Sequence, residues 1–211
     1  MKTDGTAGIR ESGGPTILDV MAIADGQTVI RSGTTLIGGT VVPVAPLVYA
    51  DGSVPAGNTV ANTTTETAFA STYTIPANRL KVNSVIRVKL YGTYGTTIIS
   101  PTLTGKFKVG GTTVLNTGAL TAVANLTNVG WWAEAILIVT SIGVTGTIEA
   151  QGFAEFASAA TTGLSVNLTN TATYTKDTTG TLALTITVQW SAASAANTIT
   201  LRPITVEILD V

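Results

Sequence analysis

Cysteine and histidine are both missing from the 211 residues. The first absence rules out disulfides and thiolate metal sites. The second removes the Ser-His-acid and Cys-His triads, and with them the commonest metal ligand and general base near neutral pH. Charge is scarce too. Eleven Lys and Arg and twelve Asp and Glu make up 11% of the chain, against roughly 25% in an ordinary globular domain. The net charge is −1 and no basic run occurs, so nothing suggests nucleic acid as a partner. Long apolar runs are also lacking. Ala135–Val139 is as long as any, far short of the roughly 20 residues a bilayer demands. The stretch MKTDGTAGIRESGGP has no apolar core of the secretory type. No membrane partner, no cofactor, no metal and no enzymatic activity are therefore expected.

Alanine, threonine and glycine supply much of the bulk, and the mean hydropathy is +0.41. A surface this poor in charge leaves little to oppose association. The expectation is that copies of the chain, or a larger assembly, cover part of its outside. A threonine-rich surface, polar without charge, is the plainer explanation.

Three zones follow one another. Residues 1–20 mix glycine, threonine and scattered charge as a flexible lead. Residues 21–58 form an extended arm and linker, in which Pro43 and Pro46 disallow a helix or a central strand. Residues 59–211 read as strand after strand. In Ser84–Tyr91, Ile86, Val88 and Leu90 alternate with Arg87 and Lys89. Leu103, Phe107 and Val109 alternate with Thr104, Lys106 and Lys108. In Thr181–Trp190, Leu182, Leu184, Ile186, Val188 and Trp190 share one face. Such patterns describe antiparallel strands with one packed and one polar face.

Two runs depart from this. Residues 130–142 are apolar on both faces, with Trp131, Ala133, Ala135, Leu137 and Val139 on one and Trp132, Ile136 and Ile138 on the other. This predicts burial on both sides, the second against a neighbouring subunit or a loop of the same chain. In 197–209 the apolar parity changes from Ile199 and Leu201 to Ile204, Val206 and Ile208, with Pro203 at the switch, which predicts a bulge. About eight strands are expected, at 59–62, 67–75, 84–94, 102–109, 130–142, 144–157, 181–190 and 197–209, with a further one at 163–174. The fold class is all-β, an antiparallel two-sheet jelly-roll sandwich preceded by the extended N-terminal arm. An up-and-down barrel is the alternative.

Chemistry-bearing groups are few. Glu149 and Glu155 share one face of a strand but stand about 20 Å apart, beyond the 5–10 Å of paired glycosidase acids. Glu134 on the preceding strand can approach one of them. Solvated charges balanced by Lys89, Lys106 and Lys108 are the expected reading. GGTTVLNTG (110–118) has no following lysine and no helix to receive an anion, so it is a hairpin connection. Asp177 with Asn170 and Thr178 is a faint calcium candidate. The sequons at Asn62, Asn125 and Asn167 are what high threonine content produces. Tyr91, Tyr94, Trp131, Trp132 and Trp190 could stack on a sugar, with core and interface packing as the expected role.

The stretch DGQTVIRSGTTLIGG carries Asp25, Gly26, Val29, Ile30, Arg31, Ser32, Gly33, Leu36, Ile37 and Gly38. It resembles a short segment, DG followed by an apolar position and RSG, near the N-termini of tailed-bacteriophage virion proteins. The stretches TIPANRLKVNSVIRVKLYGTY, KFKVGGTTV, GWWAEAILIV, TIEAQGF and NTITLRPITVEIL are similar to jelly-roll domains of phage structural proteins, which resemble tumour-necrosis-factor-like trimers. The resemblance implies a head decoration or cement protein. It would be a homotrimer that docks those ten arm residues on the major capsid protein or other virion subunits. It would be made in the host cytoplasm and carried on the virion, most naturally on the head surface. Tyr91, Trp131, Trp132 and Leu137 are the candidates for the subunit interface. A tail-fibre or receptor-binding tip that recognises a host glycan or protein is the alternative.

Overall fold

Period-two alternation dictates the larger part of the molecule, and the registers follow it. In the computed structural model, residues 8–10, 17–19, 28–32, 35–39, 47–159, 162–169 and 172–210 are described. The chain divides into two units, Met1–Ala45 and Pro46–Val211.

The first unit holds two antiparallel pairs. β1 (Gly8–Arg10) pairs with β2 (Ile17–Asp19), and β3 (Thr28–Ser32) pairs with β4 (Thr35–Gly39). Ile30 stands opposite Ile37 and Arg31 opposite Leu36. Within the stretch read as an extended arm, these two strands are thus paired with each other. Asp25, Gly26 and Gly33 lie outside the described residues.

The second unit runs β5 (Leu47–Asp51), β6 (Thr59–Ala61), β7 (Thr67–Ala68), β8 (Tyr73–Ile75), β9 (Val85–Gly95), β10 (Thr102–Val109), β11 (Thr112–Asn116), β12 (Leu120–Thr121), β13 (Val129–Ser141), β14 (Gly146–Ala159), β15 (Thr162–Thr169), β16 (Tyr174–Lys176), β17 (Leu182–Trp190) and β18 (Thr198–Leu209). One sheet has the order β15-β14-β13-β9-β18-β5, with β16 also along β14 and β6 also along β18. The other has the order β11-β10-β17-β7, with β12 along β10 and β8 along β17. All pairings between these strands are antiparallel.

The chain crosses between sheets after β6, β8, β9, β12, β16 and β17. The central lines β5/β6-β18-β9-β13 and β7/β8-β17-β10-β11 are the two four-stranded sheets of a jelly roll. The hairpin strands β14 and β15 widen the first sheet beyond it. These crossings exclude an up-and-down barrel.

The alternating apolar residues meet between the sheets. Ile86, Val88, Leu137, Val139, Ile148, Leu184, Leu201, Ile204, Val206 and Ile208 are fully buried there, each contributing roughly 1.5–3 kcal/mol by burial. The parity switch in β18 is a register shift between Leu201 and Ile204, with Arg202 and Pro203 pushed out to solvent. Gly110 and Gly111, at φ +52° and +77°, close the β10–β11 hairpin where both central residues need the left-handed region. Residues 112–116 beyond them form a strand, so GGTTVLNTG is half turn and half sheet edge.

Leu47–Asp51, read with the end of the extended arm after Pro43 and Pro46, pairs with Ile204–Ile208 as the edge strand of the larger sheet. Pro46 precedes it, and an edge is where a strand tolerates a nearby proline.

Candidate interaction surface

β13 buries one face only. Trp131 (6% exposed) and Leu137 (0%) lie in the core with Ala133, Ala135 and Val139. Two of the four proposed interface residues are therefore inside this chain. Trp132 (37%) and Ile138 (43%) stand on the outer face of the larger sheet, and Ile136 is half-buried there. The expected cover over the second face is not supplied by this chain's described residues.

Strand register lays out that outer face in rows. Tyr91, Trp132 and Glu155 stand side by side, and Lys89, Glu134, Phe153 and Asn167 form the next row. The rings of Trp132 and Phe153 are 5.3 Å apart. The Trp132 indole N–H donates to Glu155 Oε2 at 3.2 Å. Val48 (56%) and Tyr91 (44%) are the other large apolar groups left uncovered near it. A shallow depression of about 280 Å³ is lined by Glu134, Ile136, Gln151, Phe153 and Asn167.

The carboxylates on this face have partners. Glu134 Oε1 is 3.3 Å from Arg87 Nε, and Glu207 Oε2 is 3.4 Å from Arg87 Nη1. Glu134 and Glu155 are diagonal neighbours, because Glu134 pairs with Phe153 and Trp132 with Glu155. Each is engaged by a different group, Arg87 for one and Trp132 for the other. Glu149 is exposed further down β14.

Lys106 and Lys108 do not balance these acids. They sit on the other sheet and both close on Glu66, which also accepts from the Thr187 hydroxyl. The hydrogen bond from Lys106, then those from Lys108 and Thr187, hold the Glu66 carboxyl at about 2. Asp177 accepts from the backbone and hydroxyl of Thr179, while Thr178 turns to Gly143. Asn170 lies outside the described residues. Among the described residues no group of three or more Asp or Glu is placed to hold a metal ion.

The loops β9–β10, β11–β13 and β17–β18 meet at one end of the sandwich. Asn197, fully buried, accepts from the Thr97 backbone N–H and donates to the Ala192 carbonyl. Thr96, also buried, donates to the Val123 carbonyl and accepts from the Leu126 N–H. Beyond this tied base Ile98 and Ile99 stand 81% and 76% exposed. The strand-by-strand reading missed this pair because it lies between strands. A signal was present: residues 90–105, 109–133 and 178–201 contain no Asp, Glu, Lys or Arg at all.

No protein-family description matches the chain, and none of the curated proteins matches it. Among solved structures the chain is similar to one in a structure titled "Structure of infectious bursal disease virus Gt strain", at 12% identity and a TM-score of 0.32. The likeness covers 86% of this chain and 37% of that one, so the present chain spans well under half of that chain's length.

Proposed function

We propose that this protein is a structural subunit of a virus particle, acting through surface contact and without bond-making chemistry. The observation that carries the reading is the outer face of the larger sheet. Trp132, Tyr91, Ile138 and Val48 remain uncovered, while Arg87 beside them pairs with Glu134 and Glu207. A chain with only 11% charged residues gains by covering such groups. Within that class, the resemblance of residues 25–38 to phage virion segments supports a head decoration or cement protein, a homotrimer whose N-terminal unit grips capsid subunits. Three weak attachments on one trimer multiply through effective concentration. The test is imaging of purified particles: density for this jelly roll projecting from the head is expected, and its absence from the particle overturns the reading.

One observation favours a receptor-binding tip instead. The Trp132 and Phe153 rings with Tyr91, flanked by Gln151 and Asn167, offer stacking faces and amide groups suited to a sugar. A glycan array probed with the full chain and with Trp132→Ala separates the two. Binding lost in the variant supports the tip, and no binding in either supports the structural role.

A further inference from the structure

The loops at one end of the sandwich carry no charged side chain. Three runs of the chain pass through that end: 90–105, 109–133 and 178–201. None contains an Asp, Glu, Lys or Arg. The opposite end carries Arg79, Lys81 and Asp210 in one ion-pair cluster, with Lys176 and Asp177 at a neighbouring crossing. Ile98 and Ile99 project from the charge-free end on a loop whose base is fixed by Asn197 and Thr96. Two adjacent isoleucines so exposed, on a base so ordered, are a knob held ready without the entropic cost of forming it.

Beside the knob lies a place for one. A hollow of about 430 Å³ has Ile98, Ile99 and Pro101 as one wall and Ser191, Ala192 and Ala193 as the other. The second wall's small side chains let another backbone approach closely. The knob is thus itself one wall of the hollow.

We propose that copies of this chain associate through this end, with Ile98 and Ile99 of one copy seated in the hollow of the next. The contact joins copies about a two-fold axis where each seats the other's isoleucines, and in a ring where successive rotations close. The three loops hold about 25 residues, in the range a standard interface uses on each side. Two such ends meet without like-charge repulsion, since neither bears a charge. A bilayer is disfavoured as occupant because the loops 96–101, 117–128 and 191–197 contain no Lys, Arg, Trp or Tyr to anchor at a lipid interface. The inference rests on the oligomeric part of the reading above and is independent of its virion part.

Sedimentation of the purified full chain at micromolar concentration tests it. The wild type is expected to be an oligomer, and Ile98→Asp/Ile99→Asp a folded monomer with association weakened roughly 100-fold or more. Ala193→Arg, which fills the hollow, is expected to do the same. Tyr91→Ser/Trp132→Ser, on the sheet face, is expected to remain oligomeric. Thermal melts of each variant verify folding, which residues this exposed scarcely support. A monomeric wild type overturns the inference, as does an oligomer untouched at Ile98 and Ile99 but dissolved at Tyr91 and Trp132. An oligomer held elsewhere leaves the virion reading standing. A chain absent from particles yet joined through Ile98 does the reverse.

Discussion

Gly92 stands directly opposite Trp131 in the β9–β13 ladder, and the indole lies across its bare α-carbon. From there the ring N–H donates to the Thr200 carbonyl at 3.2 Å. The same ring is stacked between Phe69 and Phe156, with centroids 6.4 and 6.0 Å away. A Cβ at Gly92 would fall 2.0 Å from the Thr200 oxygen and 2.4 Å from Trp131 Nε1. The nearer atom is backbone and cannot step aside. Gly92→Ala is therefore expected to cost about 3 kcal/mol or more, read as a lowered urea midpoint. Trp131→Phe keeps a stacked ring but leaves the Thr200 carbonyl without its indole donor, at a cost of about 1–2 kcal/mol.

Glu66 gives the sandwich a defined acid response. Its carboxyl, held at about 2 by Lys106, Lys108 and Thr187, ties the crossing between the sheets to β10 and β17. A carboxyl depressed in the folded state stabilises fully above its ordinary value of 4.5 and loses that contribution as pH falls toward 2. The side chain is about a quarter exposed, at 26%, so solvent screening reduces the effect to the order of 1 kcal/mol. Urea unfolding at several pH values between 2 and 7 is expected to show stability falling over this window. In Glu66→Gln the fall should be shallower by about that amount. Equal slopes in the two proteins would remove Glu66 from the account.

The bulge in β18 can be tested by deletion. Along β9 the partners of Leu201 and Ile204 are Gly92 and Leu90, two residues apart, so β18 carries one residue too many. Removing Pro203 leaves Leu201 and Ile204 facing inward with Arg202 outward between them. Removing Thr205 instead turns Val206 and Ile208 away from the core, or forces Ile204 out if the bulge is absorbed. Deletion of Pro203 is expected to leave a cooperative thermal transition within a few degrees of the parent. Deletion of Thr205 is expected to abolish it.

Most of this architecture was written in period-two alternation, because each long strand buries one face and exposes the other. β9, β10, β17 and β18, with the bulge at Pro203, could be read residue by residue. β13 was legible only in part, for a physical reason. Hydrophobicity marks a face that benefits from cover but does not say what supplies it, and Trp132 and Ile138 are uncovered in this chain. Aromatic identity was equally ambiguous, since Trp131 and Trp132 are neighbours in sequence and lie on opposite sides of the sheet. The charge pairs were opaque, because Lys106 and Lys108 meet Glu66 only through the crossing of two sheets. Ile98 and Ile99 escaped a search for strands, although the uncharged runs around them were plain.

The boundary of the folded unit can be checked by truncation. Residues 46–211 form one unit, and β5 (Leu47–Asp51) covers the outer edge of β18 with five paired residues. A fragment of residues 46–211 is expected to unfold at the same urea midpoint as the sandwich in the full chain. A fragment beginning at Gly52 loses that edge strand, opens the backbone of Ile204–Ile208 to other chains, and removes the Tyr49 ring from its contact with Tyr73 at 4.9 Å. It is expected to be less stable by about 1–3 kcal/mol and prone to aggregate, measured by urea midpoint and light scattering. Only the longer fragment can then report on the role of residues 1–45. If that N-terminal unit is the grip on a virion, residues 46–211 should fold normally and bind particles far more weakly than the full chain. Equal binding would assign the grip to the sandwich.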